Sequence, residues 1–146
     1  MKIVVISDTH RDIDSIKIVR YINNDADMFL HCGDSELPPE LIDGFASVKG
    51  NCDYFEYPLN KILKTPFGNI YVEHGHKHVL SDDYILSKNA LIFLHGHTHK
   101  HYVKKVGNCY VANPGSLTKP RDGTNGTYLV ITIDNNQVKF DFKEIN

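Results

Sequence analysis

Five short apolar runs, each ending near side chains able to bind metal ions, constrain this chain more than any other feature of its sequence. The side chains concerned are carboxylates, an amide and imidazoles: Asp8, His10, Asp34, Asn51, His74, His97 and His99. In an open α/β sheet, ligands bind in the crevice beyond the carboxyl ends of the strands, so side chains placed there converge. Glycines adjoin these residues and allow tight turns and close backbone approach; they are Gly33, Gly50, Gly75 and Gly96. The pattern predicts one polar site at one edge of the fold.

The apolar periodicity predicts strands and helices in alternation, followed by hairpins. Strands are predicted at residues 2–7, 28–30, 45–48, 59–64, 69–73 and 91–94, with a hairpin turn at 65–68. Helices are predicted at 14–24, with Asp12 or Asp14 as N-cap, at 81–89, with Ser81 as cap, and over a short stretch opening at 36–39. The tail from 102 to 145 alternates like antiparallel strands, with turns at 107–108 and 134–136. This order is typical of the α/β class, here with two packed sheets and helices outside them.

Composition restricts the class of protein. A length of 146 residues suits one domain, so we expect a single domain over residues 1–146. The net charge of -2 and the absence of Trp offer no extended basic or stacking surface for nucleic acid. No apolar run approaches the roughly 18 residues of a membrane span, and the N-terminal run is too short for a signal peptide. Three widely spaced cysteines do not suggest a disulfide framework, which favours a reducing cytoplasm.

The candidate ligands are too many for one metal ion and suit two. Oxygen and imidazole donors together fit Mn²⁺, Fe, Ni²⁺ or Zn²⁺, and the absence of thiolate ligands argues against a structural zinc finger. Two ions about 3.5–4 Å apart need a bridging anion, which a carboxylate and a hydroxide can supply. His97 and His99 are the most specific signal, because imidazoles two residues apart in an extended segment project to the same side. We therefore expect two divalent metal ions per chain.

The order of the motifs resembles that of a known enzyme family. The sequence reads Asp-x-His at 8–10, Gly-Asp at 33–34, Gly-Asn-x-Asp at 50–53, His-Gly-His at 74–76 and Gly-His-x-His at 96–99. It is similar to the calcineurin-like metallophosphoesterases, and closely to their small bacterial and archaeal phosphodiesterase branch. The later loop, at 113–116 and 120–121, also resembles that branch. The resemblance implies an α/β fold, a two-sheet β-sandwich flanked by helices, with a dinuclear metal site on one edge.

Position by position, the resemblance also implies roles for the ligands. One ion would be held by Asp8, His10, Asp34 and His99, and the other by Asp34, Asn51, His74 and His97, which makes Asp34 the bridging carboxylate. Two divalent ions, two carboxylates and a bridging hydroxide leave the site at about +1, which matches a phosphodiester monoanion. The expected activity is metal-dependent hydrolysis of a phosphodiester by in-line attack of that hydroxide.

Cys52 departs from the broad family, many of whose members have a histidine at this position. We expect Asn51 and Cys52 to act in catalysis, the thiol as a weak hydrogen-bond donor that is mostly protonated at pH 7. His76 is an alternative source of an imidazole near the substrate, and Arg121 is a candidate to hold a substrate phosphate bidentately. Packing, orienting or local hydrogen-bonding roles are expected for other polar residues: His31, Asp53, His78, His95 and His101.

Two classes of function stay open. The favoured one is hydrolysis of a small phosphodiester or cyclic nucleotide. The other is a non-catalytic scaffold of the same fold that resembles the retromer subunit, which departs from the enzymes at the Gly-Asp and Gly-Asn motifs. Gly33-Asp34 and Gly50-Asn51 have the enzyme form here. We expect no membrane partner, and a homodimer is the oligomer to test first.

Overall fold

The structure, a computed structural model, describes residues 1–145 and contains ten strands. They are β1 (Lys2–Ile6), β2 (Met28–His31), β3 (Phe45–Ser47), β4 (Asn60–Thr65), β5 (Gly68–Glu73), β6 (Ile92–Leu94), β7 (Tyr102–Val106), β8 (Cys109–Asn113), β9 (Tyr128–Asp134) and β10 (Gln137–Lys143). One sheet has the order β10-β9-β1-β2-β3 and the other the order β4-β5-β6-β8-β7. The predicted two-sheet sandwich is confirmed, and the first six strands end within one residue of their predicted bounds.

Both sheets are mixed, with parallel strands at the positions that matter for the site. In the first sheet β1, β2 and β3 are parallel, and β9 and β10 add antiparallel strands beside β1. In the second sheet β5, β6 and β8 are parallel, and β4 and β7 are antiparallel edge strands. Parallel neighbours have their carboxyl ends on the same side, so the loops that follow these strands emerge together.

Two α-helices, α1 (Ile13–Ile22) and α2 (Asp82–Leu86), flank the sandwich. Asp12 caps α1, because its carboxylate accepts the N–H of Ser15 at 3.1 Å, and Ser81 caps α2 in the same way. The predicted caps are confirmed. The second helix is shorter than the predicted 81–89, because turns replace it after its fifth residue and Asn89 is left-handed at φ 52°. Neither helix in the described part of the chain is long and apolar enough to cross a membrane.

The alternation of strand residues explains the layers. In β1, Ile3 and Val5 belong to the core between the sheets, while Val4 and Ile6 pack outward with α1. All four side chains are fully buried. On the opposite side of the molecule, Phe93 of β6 packs outward with α2. Each central strand is therefore apolar on both faces, which is typical of a sheet covered by a second sheet and by helices.

The structure adds detail to two predictions. The short helix expected to open at 36–39 is a 3₁₀ helix, Pro39–Ile42, which begins only at Pro39 because Glu36 is left-handed at φ 56° and donates its N–H to the Asp53 carboxylate. The antiparallel strands predicted for the tail are confirmed, with turns where expected. They form two hairpins in opposite sheets, β7–β8 in the second and β9–β10 in the first. Hydrophobic alternation alone does not distinguish partners in two stacked sheets.

Candidate metal centre

The loops after β1 and β2 run side by side at the carboxyl edge of the first sheet. The N–H of Asp8 donates to the carbonyl of Gly33 at 3.0 Å, and that of His10 donates to the carbonyl of Asp34 at 3.0 Å. The loops after β3, β5 and β6 reach the same edge. All seven predicted ligands are thereby brought together, although they lie between positions 8 and 99 of the chain.

Asp8, His10 and His99 form the first of two groups of facing atoms, called here the His10 group. The Nε2 atoms of His10 and His99 are 3.4 Å apart, and the latter is 3.3 Å from Asp8 Oδ1. The Nδ1 atoms face acceptors instead, Glu36 Oε2 at 2.8 Å for His10 and the Lys119 carbonyl at 2.7 Å for His99. Because each Nδ1 faces an acceptor and donates to it, Nε2 is the atom that each ring presents to the group.

The second group of facing atoms, called here the His74 group, consists of Asp34, Asn51, His74 and His97. His74 Nε2 lies 3.2 Å from Asp34 Oδ2 and 3.0 Å from Asn51 Oδ1, while its Nδ1 faces the Cys32 carbonyl at 2.8 Å. His97 Nδ1 lies 3.1 Å from the same amide oxygen of Asn51. As in the first group, acceptor atoms of several side chains face one another, and only a proton or a cation between them makes the arrangement favourable.

Asp8 lies between the two groups. Its Oδ2 accepts the hydroxyl proton of Ser7 at 2.6 Å. Its Oδ1 is buried and, among residues 1–145, has no hydrogen-bond partner, with Nε2 of His99 at 3.3 Å and Nε2 of His74 at 3.8 Å. An unsatisfied buried acceptor is costly, and a cation would satisfy this one. Asp8 is thus the carboxylate within reach of both groups here, and bridging by Asp34 stays a prediction.

Five of the seven predicted ligands have a left-handed backbone, which residues other than glycine rarely adopt. They are Asp8 (φ 54°), His10 (φ 44°), Asp34 (φ 62°), His97 (φ 75°) and His99 (φ 63°). Conformations of this kind cost on the order of 1–3 kcal/mol each and persist where the surrounding structure enforces them. Their concentration at this edge indicates that these loops adopt a conformation that serves binding rather than stability.

The electrostatics of the site keep its carboxylates ionised. Burial favours the neutral form of Asp34, but the hydrogen bond and charge of His74 lower its pKa to about 2. Burial also opposes ionisation of Asp8, and the neighbouring His99 and His74 still hold its pKa below the ordinary value. In return, Asp34 and Asp8 raise the pKa of His74 despite its burial, and Asp8 raises the pKa of His99. Protons on the rings offset the carboxylates in the metal-free protein, and a divalent cation fits the same place.

Asp53 orients the loops around these groups, as expected from the sequence. Its carboxylate accepts the backbone N–H of Asp34 at 2.9 Å, of Glu36 at 2.8 Å and of Gly50 at 2.7 Å. Three donors from the loops after β2 and β3 therefore end on one buried carboxylate. Its role is to fix the relative position of these loops, and through them of the ligands that they carry.

Two residues that border the site were missed by sequence reasoning. Glu36 contacts the outer nitrogen of His10, and Lys119 contributes a carbonyl to His99 and lines the cleft described below. Glu36 lies two residues after Asp34, and Lys119 lies just before the Pro120-Arg121 pair. Proximity to recognised motifs was the only available signal, because neither residue belongs to a motif that specifies a contact.

Ligand residues line an open cleft of about 180 Å³. Its lining residues are His10, Asp34, Asn51, Cys52, His97, His99, Lys119 and Arg121. Cys52 and Arg121, which the sequence proposed for catalysis and substrate binding, therefore border the same space as the ligands. His76 lies close to the rings of His74 and His97, with centroids 5.4 and 6.3 Å away, but lines a separate cavity of about 60 Å³ beside Glu73.

The remaining histidines have local partners, which are hydrogen-bonding groups as expected except that His78 stacks on a ring instead. The contacts are a stack of His78 on Tyr84, a hydrogen bond between His95 and Tyr102, and a hydrogen bond between His101 and Asp122. His31 is fully buried between the Thr9 hydroxyl at 2.9 Å and the N–H of Gly33 at 3.0 Å. Because Gly33 donates to its Nδ1, His31 is neutral, and burial lowers its pKa to about 4.

Acidification from pH 7 to pH 5 is expected to destabilise the protein through His31. In the unfolded chain this imidazole binds a proton near pH 6.5, whereas in the folded chain it does so only near pH 4. The unfolded state is thus favoured progressively below about pH 6.5, by up to about 1.4 kcal/mol per pH unit. Urea unfolding at both pH values measures the slope, which His31→Asn should flatten. A folded-state NMR titration showing protonation of His31 above pH 6 contradicts this expectation.

Comparison with known proteins agrees with this geometry. A family model described as the calcineurin-like phosphoesterase superfamily domain matches residues 1–136. The probable metallophosphoesterase YsnB of Bacillus subtilis is 29% identical, over 92% of this chain and 86% of its own length. A probable metallophosphoesterase of Methanocaldococcus jannaschii is 33% identical, over 83% of this chain and 70% of its own length.

Solved structures have the same architecture. A conserved uncharacterized protein of Streptococcus pneumoniae TIGR4, described as a predicted phosphoesterase, superposes with a TM-score of 0.91 at 32% identity, covering 99% of this chain and 89% of its own. An archaeal phosphodiesterase (TM-score 0.79, 21% identity, 98% and 100% covered) and Entamoeba histolytica Vps29 complexed with zinc (TM-score 0.74, 21%, 100% and 100%) share the fold. By its sequence, its fold and the residues gathered at one edge, the chain belongs to the calcineurin-like phosphoesterase superfamily.

Proposed function

We propose that this protein is a phosphodiesterase that uses two divalent metal ions, held by the His10 group and the His74 group. The observation that carries the proposal is the buried Oδ1 of Asp8, which lacks a hydrogen-bond partner among residues 1–145 and lies between both groups of facing acceptors. Such an arrangement is unfavourable without positive charge at its centre. When bound, the two ions supply a hydroxide at neutral pH and neutralise phosphate oxygens during in-line displacement.

The residues of the chain hold the ions and contact the leaving group. The ligands fix the ions, and Asn51 joins His74 and His97 through one amide oxygen. Burial, together with the charges of Asp34 and Glu36, raises the pKa of the Cys52 thiol. A protonated thiol at this position is suited to donate a hydrogen bond to the departing oxygen.

The cleft supports a small diester as substrate. Its volume of about 180 Å³ has room for a phosphate and part of its substituents. The side chains of Lys119 and Arg121 are exposed at the cleft and are suited to hold non-bridging phosphate oxygens. An archaeal protein of the same fold is called a phosphodiesterase, which agrees with this choice over a monoester.

The test is a matrix of metals and substrates. Mn²⁺, which we propose as the first metal to try, is compared with Ni²⁺, Mg²⁺ and Zn²⁺ on bis(4-nitrophenyl) phosphate, 4-nitrophenyl phosphate and cyclic nucleotides. We expect turnover of the aryl diester, bis(4-nitrophenyl) phosphate, to exceed that of the cyclic nucleotides, which are alkyl diesters, and that of the monoester. A monoester preference at the same metal loading contradicts the proposal. Tight metal binding without turnover of any ester favours the scaffold alternative.

Substituting Cys52→His is expected to increase turnover of diesters with poor leaving groups. General acid catalysis contributes about 10²–10⁴-fold, and an imidazole is a better proton donor than a thiol near pH 7. The gain should be about tenfold or more for alkyl diesters and small for activated aryl diesters. His76→Ala tests the alternative imidazole separately. Because His76 borders another cavity, we expect this substitution to leave the ratio of aryl to alkyl diester turnover unchanged. An increase that is equal for both leaving groups refutes the role of this position in protonation.

Metal removal is expected to lower the melting temperature. An ion at 100 times its dissociation constant adds about 2.7 kcal/mol to the free energy of unfolding. For a chain of this size 1 kcal/mol corresponds to about 2–4 °C, so chelation after Mn²⁺ loading should cost about 5–10 °C. His74→Ala should reduce the drop. An identical melting temperature with and without chelator contradicts metal binding by the native state.

The proposal also includes a cytoplasmic location and a homodimer. The three cysteines, Cys32, Cys52 and Cys109, are free thiols, which is compatible with the proposed cytoplasmic location. Homodimerisation stays a prediction, and light scattering of the metal-loaded protein tests it.

A further inference from the structure

The outer nitrogen of His10 is held by a carboxylate. Its Nδ1 lies 2.8 Å from Glu36 Oε2, and the two side chains are only 10% and 17% exposed. A carboxylate accepts hydrogen bonds and does not donate them, so the His10 proton is on Nδ1. The Nε2 atom is then the one presented to the group, and it faces Nε2 of His99 at 3.4 Å.

The backbone places Glu36 opposite His10. The loops after β1 and β2 are joined residue by residue, and the last of these bonds runs from Arg11 N–H to the Ser35 carbonyl at 2.8 Å. The next residue, Glu36, is left-handed at φ 56°, and its N–H is fixed by Asp53 at 2.8 Å. Glutamate gains nothing locally from this strained conformation. The conformation is explained if it directs the carboxylate to His10.

The other two ligating imidazoles with a protonated outer nitrogen have weaker acceptors. His74 Nδ1 faces the carbonyl of Cys32 at 2.8 Å, and His99 Nδ1 faces the carbonyl of Lys119 at 2.7 Å. Hydrogen bonds to an ionised acceptor are roughly twice as strong as those to a neutral one. A carboxylate partner also makes an imidazole a more basic ligand, so the two metal positions differ in strength.

We propose that Glu36 is a positioning residue for His10. Its carboxylate fixes the ring and its proton so that Nε2 is presented to the cation, and it makes the metal position of the His10 group the tighter of the two. The inference rests on the proposed metal centre but not on the proposed substrate. It is measured by metal binding alone, so a failure of the diesterase assay leaves it intact.

The experiment is a calorimetric titration of metal-free protein with Mn²⁺, without substrate. Glu36→Ala should weaken the tighter binding step by about 10–100-fold, the usual effect of losing an outer partner of a ligand, with little change in the other step. Glu36→Gln keeps an acceptor for Nδ1, so its affinity at the tighter step should lie between those of the wild type and Glu36→Ala. Glu40→Ala, an exposed glutamate in the 3₁₀ turn that follows, is the matched control and should leave both steps unchanged.

A double-mutant cycle separates positioning from a general structural effect. In a His10→Ala background, Glu36→Ala should change the binding constants by less than about twofold, because there is no ring left to position. An effect as large as in the wild-type background overturns the proposal. Equal weakening of both steps with a lowered melting temperature of the metal-free protein also overturns it, since that outcome assigns Glu36 to the fold. Unchanged Mn²⁺ affinity in Glu36→Ala also overturns the proposal.

Discussion

Asp34→Ala is expected to abolish phosphodiester hydrolysis and to release bound metal. The side chain lies 3.2 Å from His74 Nε2 and accepts the N–H of Cys52 at 2.8 Å, so it links a ligating imidazole to the loop at the cleft. Even outer partners of metal ligands are worth about 10–100-fold, so loss of a ligand should reduce kcat/KM by more than about 100-fold. Turnover of bis(4-nitrophenyl) phosphate and metal content by elemental analysis measure the two effects.

The control for Asp34→Ala is Asp83→Ala, which removes an exposed carboxylate in the first turn of α2 and should leave activity and metal content unchanged. Metal content distinguishes loss of the site from loss of the fold when it is read beside a circular dichroism melt. Activity within about tenfold of wild type in Asp34→Ala means that the carboxylate is not a ligand. The two-ion mechanism then fails.

Gly50→Ala is expected to disrupt the same site through the backbone. A Cβ at this position meets the Asp34 carboxylate and lies 2.6 Å from the Asp34 backbone nitrogen, which is held in place by Asp53. The loops must separate, and overpacking of this kind typically costs about 1–3 kcal/mol of stability. We expect that loss in urea unfolding of the metal-free protein, together with weaker Mn²⁺ binding and at least about tenfold lower activity.

Gly123→Ala is the comparison for Gly50→Ala. An added Cβ at Gly123 meets no atom within 4 Å, although its φ of 80° makes alanine mildly unfavourable there. It should therefore cost stability without changing metal affinity. If both variants lose stability alike and both bind Mn²⁺ like the wild type, the close approach at Gly50 has no functional meaning.

The strands and the gathering of the candidate ligands at one edge could be predicted from sequence because both depend on local patterns. Short β-branched runs that end in glycine and a polar residue specify a buried strand and its exit, and the edge they share follows from parallel pairing. The histidines at 97 and 99 were expected in an extended segment with both rings on the same side, and that premise is wrong. Both residues are left-handed, at φ 75° and φ 63°, and their rings reach different partners, Asn51 and Asp8.

The rest depended on contacts that a sequence does not state. The short helix expected to open at 36–39 begins only at Pro39, because the carboxylate of Asp53, 17 residues away, accepts the N–H of Glu36. No propensity predicts a left-handed Asp8 or His10, since tertiary contacts impose that conformation. The orientation of His10 by Glu36 and of His99 by the Lys119 carbonyl was hidden for the same reason.

The division of the ligands between the two sheets has a mechanical consequence. Asp8, Asp34 and Asn51 follow strands of one sheet, whereas His74, His97 and His99 follow strands of the other. An ion bound by residues of both sets would link the two sheets at one end of the interface between them. Backbone amides at the end of the sandwich opposite the metal should then exchange with solvent first. The two sheets would separate by opening at that end while the metal holds them together at the other.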